Sequence, residues 1–102
     1  MKLYIDTSDH RQTIVRLGER QIDSGPQTAH SQVVIPMVGK LLKKQKATIQ
    51  DITEIEVNRG PGSFTGLRVG VAIANALGYA LKVPVNGKQV WKMDVEEPDY
   101  QF

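Results

Sequence analysis

Cysteine is absent from the 102-residue chain, which excludes a disulfide framework, a thiolate metal site and a cysteine nucleophile. Aromatic residues make up only 6%, and thirteen basic residues barely outnumber eleven acidic ones. A nucleic-acid surface usually carries a larger basic excess with interleaved aromatics. No uninterrupted apolar run approaches the roughly 18 residues of a membrane span, and the first residues do not form a signal peptide. We therefore expect a cytoplasmic protein without a membrane contact.

The bulk composition is that of one ordinary globular domain. Hydrophobic residues account for 40% and charged residues for 24%, and the length suits a single core. The one local concentration of charge comprises Lys40, Lys43, Lys44 and Lys46. Lysines at a helix carboxyl end complement the helix dipole, and this interpretation is favoured over an RNA contact.

Alternation and turn signals predict three short strands at 2–7, 12–17 and 19–23, joined by tight turns. A helical period follows over 30–44, and Pro36 fits if the helix begins near Val34. Its predicted core face comprises Val34, Ile35, Val38, Leu41 and Leu42. A strand at 54–59, a helix at 64–81 and a last strand at 83–85 complete the order, and Asn86-Gly87 is a hairpin signal. These elements predict an α/β fold with a mixed five-stranded sheet in the order β-β-β-α-β-α-β.

The most specific segment is the run Arg59-Gly60-Pro61-Gly62-Ser63-Phe64-Thr65-Gly66-Leu67-Arg68-Val69-Gly70. Gly60 and Gly62 permit backbone angles that are closed to other residues, and Ser63 is placed to cap the following helix. The glycine spacing matches neither the dinucleotide fingerprint nor the P-loop. Open amides at a helix start can bind an anion, but a structural turn is favoured over a phosphate cradle.

The helix at 64–81 is apolar around most of its circumference. A surface helix needs an apolar stripe only somewhat wider than about 100°. Gly66, Gly70, Ala74 and Gly78 recur every four residues, a row small enough for another backbone to approach closely. That neighbour is either the chain's own sheet and first helix or a second polypeptide, and the pattern leaves both open.

The glycine-rich run from Gly60 to Val71 resembles the signature of the bacterial TsaB (YeaZ) family. Three shorter matches follow the same order along residues 1 to 87: Ile5-Asp6-Thr7-Ser8, His30-Ser31 before Ile35-Pro36, and Ala80-Leu81-x-Val83-Pro84-Val85. The resemblance implies half of an actin-like, ribonuclease-H-like ATPase fold. It identifies 1–102 as a single TsaB-like amino-terminal domain, with 88–102 as a divergent tail.

The resemblance also implies a function. TsaB proteins are non-catalytic partners of the TsaD protein, which transfers a threonylcarbamoyl group to an adenosine of tRNA. The resemblance implies a TsaD-type subunit and a TsaE-type ATPase as partners, a homodimer in the absence of the TsaD-type subunit, and only indirect contact with tRNA. The expected partner surface comprises Val33, Met37, Gly66, Gly70, Ala74 and Gly78. The residues placed for a nucleotide or phosphate are Asp6, Thr7, Gly60, Gly62 and Ser63. A complete nucleotide cleft needs two facing domains and this chain offers one. We therefore expect no cofactor and no ATP binding by the isolated chain.

Two other functions are weighed against this one. A ribonuclease-H-like nuclease needs carboxylates that hold two metal ions. Asp6 ends a strand suitably, but Asp51, Glu54 and Glu56 have no spacing that demands convergence. A self-associating domain without a tRNA role is the second alternative. A peptidase is not supported, because His10 and His30 lie outside a zinc motif and Ser63 has no evident catalytic partners. We expect no metal site.

Overall fold

A computed structural model describes residues 1–9, 11–25, 32–92 and 96–97. His10 and His30 lie outside the described residues. The strands are β1 (Lys2–Asp6), β2 (Ile14–Leu17), β3 (Arg20–Asp23) and β4 (Glu54–Val57), and the helices are α1 (Val34–Lys44) and α2 (Phe64–Leu81). Single 3-10 turns lie at Ile49–Asp51 and Val90–Lys92.

The sheet runs in the order β3-β2-β1-β4. Strand β1 pairs antiparallel with β2, Ile5 opposite Val15, and parallel with β4, Ile5 opposite Val57. Side chains alternate between the two faces of a strand, and one face is fully buried: Leu3, Ile5, Val15, Leu17, Ile55 and Val57. The sheet is mixed as predicted, because β1 has one antiparallel and one parallel neighbour. Helix α1 packs against β2 and β3, and α2 packs against β4 and β1.

Helix α1 begins at Val34, as the position of Pro36 indicated. Its buried residues are Val34, Met37, Val38 and Leu41, the i, i+3, i+4, i+7 pattern of one helix face. The predicted core face is corrected at Ile35, which is 50% exposed. Met37 takes its place in the core because it lies one turn below Val34 on the buried side.

Helix α2 has the predicted bounds because both of its ends are specified locally. The Ser63 hydroxyl accepts a hydrogen bond from the Gly66 amide at 3.3 Å, and Lys82 leaves the helix in the left-handed conformation, with φ of 55°. By length and composition alone α2 could cross a membrane. Core helices pass the same test, and here α2 lies against the sheet.

The predicted fifth strand is wrong, since the described residues form a four-stranded sheet. Val85 makes only an isolated parallel bridge to Ile55 and an antiparallel one to Lys88. The chain reverses at Asn86-Gly87, where both residues have positive φ. The Asn86 side chain then takes the place of the next strand residue: its amide accepts from the Val57 N–H at 2.8 Å and donates to the Val57 carbonyl at 3.0 Å.

Two residues of the divergent tail, 88–102, are buried in the described part of the structure. Val90 is 1% exposed and belongs to the core, and Glu96 is 3% exposed. Asn75 of α2 holds the backbone of Glu96 through two hydrogen bonds, donating to its carbonyl at 2.8 Å and accepting from its N–H at 3.2 Å. Residues 93–95 and 98–102 lie outside the described residues.

Candidate functional site

The carboxyl ends of β1 and β4 meet at Asp6. One carboxylate oxygen of Asp6 accepts hydrogen bonds from the Ser8 amide at 2.9 Å, the Ser8 hydroxyl at 2.6 Å and the Asn58 side-chain amide at 3.2 Å. The other oxygen accepts from the Tyr4 hydroxyl at 3.3 Å. Burial raises the pKa of Tyr4, and the negative charge of Asp6 and its hydrogen bond raise it further. Asp6 therefore ties the two strand ends together with all four contacts from its own chain.

The glycine-rich turn closes over Ser8. The Ser63 amide donates to the Ser8 carbonyl at 2.7 Å, and a methyl group at Gly62 would lie 2.6 Å from the Ser8 Cβ. Gly62 is thus required by close approach, whereas a positive φ, of 134°, occurs at Gly60. This corrects the expectation that both glycines serve backbone conformation.

Two further amides of this segment donate within the chain. Gly60 donates to the Asn58 side-chain oxygen at 3.0 Å, and Gly66 donates to the Ser63 hydroxyl. Thr7 points away from the turn surface, is fully buried and donates to the Gly66 carbonyl at 2.5 Å. The structure thus brings Asp6 next to the turn, while these internal bonds favour a structural role over a phosphate cradle. A phosphate contact by these residues stays a prediction.

The row of small residues on α2 faces the chain's own core. Gly66, Gly70 and Gly78 are buried, and Ala74 is 0% exposed. A methyl group at Gly70 would overlap the Thr7 hydroxyl, and one at Gly78 would lie 2.5 Å from a Val85 methyl. The expectation that this row contacts a partner is therefore corrected, because the sheet and the segment after Val83 already occupy it.

The predicted strip on α1 is also mostly internal. Met37 is 8% exposed and Val33 is half-buried. Both line a groove between α1 and β3, together with Ile22. Only the groove, and not an exposed face, presents these two residues to another molecule.

The exposed side of α2 carries a different set of residues, here called the outer stripe. Its members are Phe64, Arg68, Ala72, Ala76 and Tyr79, all exposed. Phe64 is 46% and Tyr79 is 62% exposed, and the Arg68 guanidinium lies 5.3 Å from the centre of the Phe64 ring. Two alanines between two exposed aromatics leave a shallow surface that a second helix can approach.

An open depression of about 590 Å³ lies beside Asp6. Its lining comprises Tyr4, Glu56, Val57, Asn58, Arg59, Gly60 and Asn86. The depression is polar, and two of its lining residues, Arg59 and Asn86, also contact the Glu96 side chain. The carboxylate of Glu96 lies 3.3 Å from the Lys88 ammonium and 3.5 Å from the Arg59 guanidinium.

The pKa of Glu96 lies below its usual value of 4.5. Burial acts in the opposite direction and would raise the pKa. Hydrogen bonds from the Asn86 side chain, the Glu97 amide and Lys88, together with the charge of Arg59, outweigh burial and favour the carboxylate. Glu96 is therefore an ionised, buried group that its neighbours solvate in place of water.

The acids needed for a nuclease are spread over the sheet. Glu54 begins β4 and Asp6 ends the parallel strand β1, so the two lie at opposite ends of the sheet. Glu56 forms an ion pair with Lys2. Within the described ranges, no three His, Cys, Asp or Glu side chains come together in a way that could hold a metal ion, and this geometry does not favour two-metal cleavage.

Comparison with known proteins decides the family. The family model for TsaD, tRNA N6-adenosine threonylcarbamoyltransferase, matches residues 25–89. The tRNA threonylcarbamoyladenosine biosynthesis protein TsaB of Bacillus subtilis is 36% identical over 88 residues, which cover 82% of this chain and 38% of the relative. YeaZ from Pseudomonas aeruginosa superposes with a TM-score of 0.70 at 30% identity, over 82% of this chain and 41% of that structure. The chain belongs to the TsaB/YeaZ family.

Other relatives agree with this assignment. The TsaB protein of Escherichia coli is 40% identical over 58 residues, 57% of this chain and 25% of the relative. The crystal structure of an uncharacterized protein from Pseudomonas aeruginosa with similarity to peptidase YEAZ superposes with a TM-score of 0.69 at 30% identity, over 82% of this chain and 40% of that structure. This TsaB/YeaZ family member spans between about a quarter and two fifths of the length of these relatives.

Sequence reasoning missed the groups around Glu96. Arg59 belonged to the recognised run and Asn86 to a recognised turn, yet neither pattern indicated that they meet Glu96. The turn at Asn86-Gly87 was the one usable signal, because a reversal there returns Lys88 towards the end of β4. Glu96 carried no local signal at all, since its backbone partner Asn75 lies 21 positions away.

Proposed function

We propose that this chain acts in the formation of threonylcarbamoyladenosine on tRNA as a non-catalytic partner of a TsaD-type subunit. Membership of the TsaB/YeaZ family supports the pathway, because the named relatives are biosynthesis proteins of this nucleoside. The match of the TsaD family model supports a close structural kinship with the catalytic subunit. Two proteins of related fold can pair through equivalent faces, which is the arrangement we propose.

The proposed contact surface is the outer stripe of α2. The observation that carries this assignment is the exposure of Phe64 and Tyr79, at 46% and 62%, at either end of an alanine surface. Large exposed aromatics grouped on one helix face are typical of contact sites.

The non-catalytic role is supported by the state of the polar groups. Asp6 is bonded to Ser8, Asn58 and Tyr4, and the Ser63 hydroxyl caps α2. A peptidase would be expected to hold its nucleophile against a general base that a third group orients. In the described part of the chain the Ser8 hydroxyl donates to Asp6, a carboxylate already bonded to Asn58, and Ser63 caps α2.

We extend the proposal to the fold family, the cellular location and the other partners of the chain. The sheet and helices form half of an actin-like, ribonuclease-H-like fold and a single TsaB-like amino-terminal domain. The protein works in the cytoplasm, contacts tRNA only through its partner, and associates with a TsaE-type ATPase through the assembled complex. A homodimer through the outer stripe forms when the TsaD-type subunit is absent.

The test replaces Ala76 by arginine in the middle of the outer stripe. Ala76 is exposed, so the variant folds, while a bulky charge in the contact weakens binding of a TsaD-type protein by about 100-fold or more. The matched control is Gln21→Arg, which adds the same charge on the exposed edge strand β3. Affinities are measured by titration calorimetry. Unchanged affinity in the Ala76→Arg variant, with a folded protein, would place the contact elsewhere.

A further inference from the structure

The groups around Glu96 form a site that the proposed function does not use. Arg59, Lys88 and the side-chain amide of Asn86 surround the Glu96 carboxylate, and we call these three residues the cationic cup. Glu96 itself is 3% exposed. The two cations are accessible, with side chains 47% exposed for Arg59 and 39% for Lys88. The cup is therefore open to solvent on the side that faces away from the Glu96 carboxylate.

The Glu96 carboxylate is held in the cup by two hydrogen bonds between Asn75 and the Glu96 backbone, here called the clamp. Asn75 bonds both the N–H and the carbonyl of Glu96, and these two bonds position the side chain. Arg59 and Asn86 also line the open depression of about 590 Å³ beside Asp6. A ligand in the depression would thus meet the same two groups that bind Glu96.

We propose that the cationic cup is an anion-binding site that Glu96 occupies as an intramolecular ligand, in competition with a free carboxylate or phosphate. The charge pattern supports an anion: a guanidinium, an ammonium and an amide N–H are all donors, and paired cations bind carboxylate and phosphate oxygens. Glu96 stands in for such an oxyanion. Its presence lowers the apparent affinity for a free anion, because binding must displace a group that is already paired.

The experiment tests whether a free anion binds to the cup after the Glu96 carboxylate has been removed. In the Glu96→Ala variant, sodium acetate and sodium phosphate are titrated separately at constant ionic strength, and the thermal unfolding midpoint is recorded. Binding to the folded state raises the midpoint by mass action. We expect the midpoint of Glu96→Ala to rise at anion concentrations roughly tenfold or more below those needed by the wild type, the effect of one hydrogen bond to a charged group.

Two controls define the site. Glu97→Ala removes the neighbouring exposed carboxylate and should respond like the wild type, because Glu97 contacts the Glu96 carboxylate through its backbone amide, which the substitution keeps. Glu96→Ala combined with Arg59→Gln should lose the response. A response to acetate alone assigns a carboxylate ligand, and a response to phosphate assigns a phosphate ligand.

A second variant keeps the test decisive if Glu96→Ala does not fold. Asn75→Ala removes the clamp and leaves every group of the cup in place, so phosphate or acetate should bind it roughly tenfold or more tightly than the wild type in titration calorimetry. Equal anion responses in wild type, Glu96→Ala and Asn75→Ala would overturn the proposal. A response that survives Arg59→Gln would overturn it as well.

Discussion

Replacing Gly70 by alanine tests whether the small-residue row of α2 packs inward. In an open helix position this change would stabilise the protein by up to about 1 kcal/mol. At Gly70 the new methyl group overlaps the hydroxyl of Thr7, which is fully buried and bonded to the Gly66 carbonyl. Rotating Thr7 away leaves that hydroxyl without its acceptor, at about 1–3 kcal/mol, and crowding costs a similar amount.

The net expectation is a loss of about 2 kcal/mol in the free energy of unfolding, or about 8–16 °C in the midpoint. Chemical denaturation measures the change in the free energy of unfolding, and thermal unfolding measures the shift of the midpoint. The matched control is Gly39→Ala in α1, where a methyl group meets nothing within 4 Å and the midpoint should rise. In a Thr7→Ala background, Gly70→Ala should become neutral or stabilising, a coupling of about 1–3 kcal/mol. A Gly70→Ala variant as stable as the control, with no coupling to Thr7, would refute the inward packing.

Three further predictions concern single side chains. Removing the helix cap with Ser63→Ala should destabilise the protein by about 1 kcal/mol in urea unfolding, and an unchanged midpoint would show that the cap contributes nothing. Asn86→Ala should cost about 1–3 kcal/mol because the Val57 amide and carbonyl lose their partners; hydrogen exchange at the Val57 amide should accelerate, and continued protection would contradict the strand-like role of Asn86. The pKa of Glu96 is lowered in the folded state, so its stabilisation is present above the unfolded pKa near 4.5 and is lost as pH falls through the folded value. The stability difference between wild type and Glu96→Gln should therefore shrink below about pH 4.5, and a difference that grows there would contradict the direction of the shift.

The sequence predicted most of the fold because its signals are local. A capping serine and a glycine-rich turn defined the start of α2, and Pro36 defined the start of α1. The fifth strand failed because propensity could not reveal that the Asn86 side chain, rather than another strand residue, bonds to Val57.

The site was only partly predictable, because its contacts join distant positions. A repeat of small residues indicates close approach by some backbone or side chain, and the sequence does not say whose. The Thr7 hydroxyl, 59 positions from Gly66, decides that question in favour of the chain's own core. Similarly, nothing near Glu96 in the sequence indicates its burial against Asn75, Lys88 and Arg59.

The central claim is that the outer stripe binds a TsaD-type subunit. Light scattering of the native particle, alone and mixed with a TsaD-type protein from the same source, tests it most directly. We expect a particle whose mass equals one copy of each chain, and we expect Ala76→Arg to remove this particle while Gln21→Arg retains it. A mixture in which the two proteins keep their separate masses would contradict the claim.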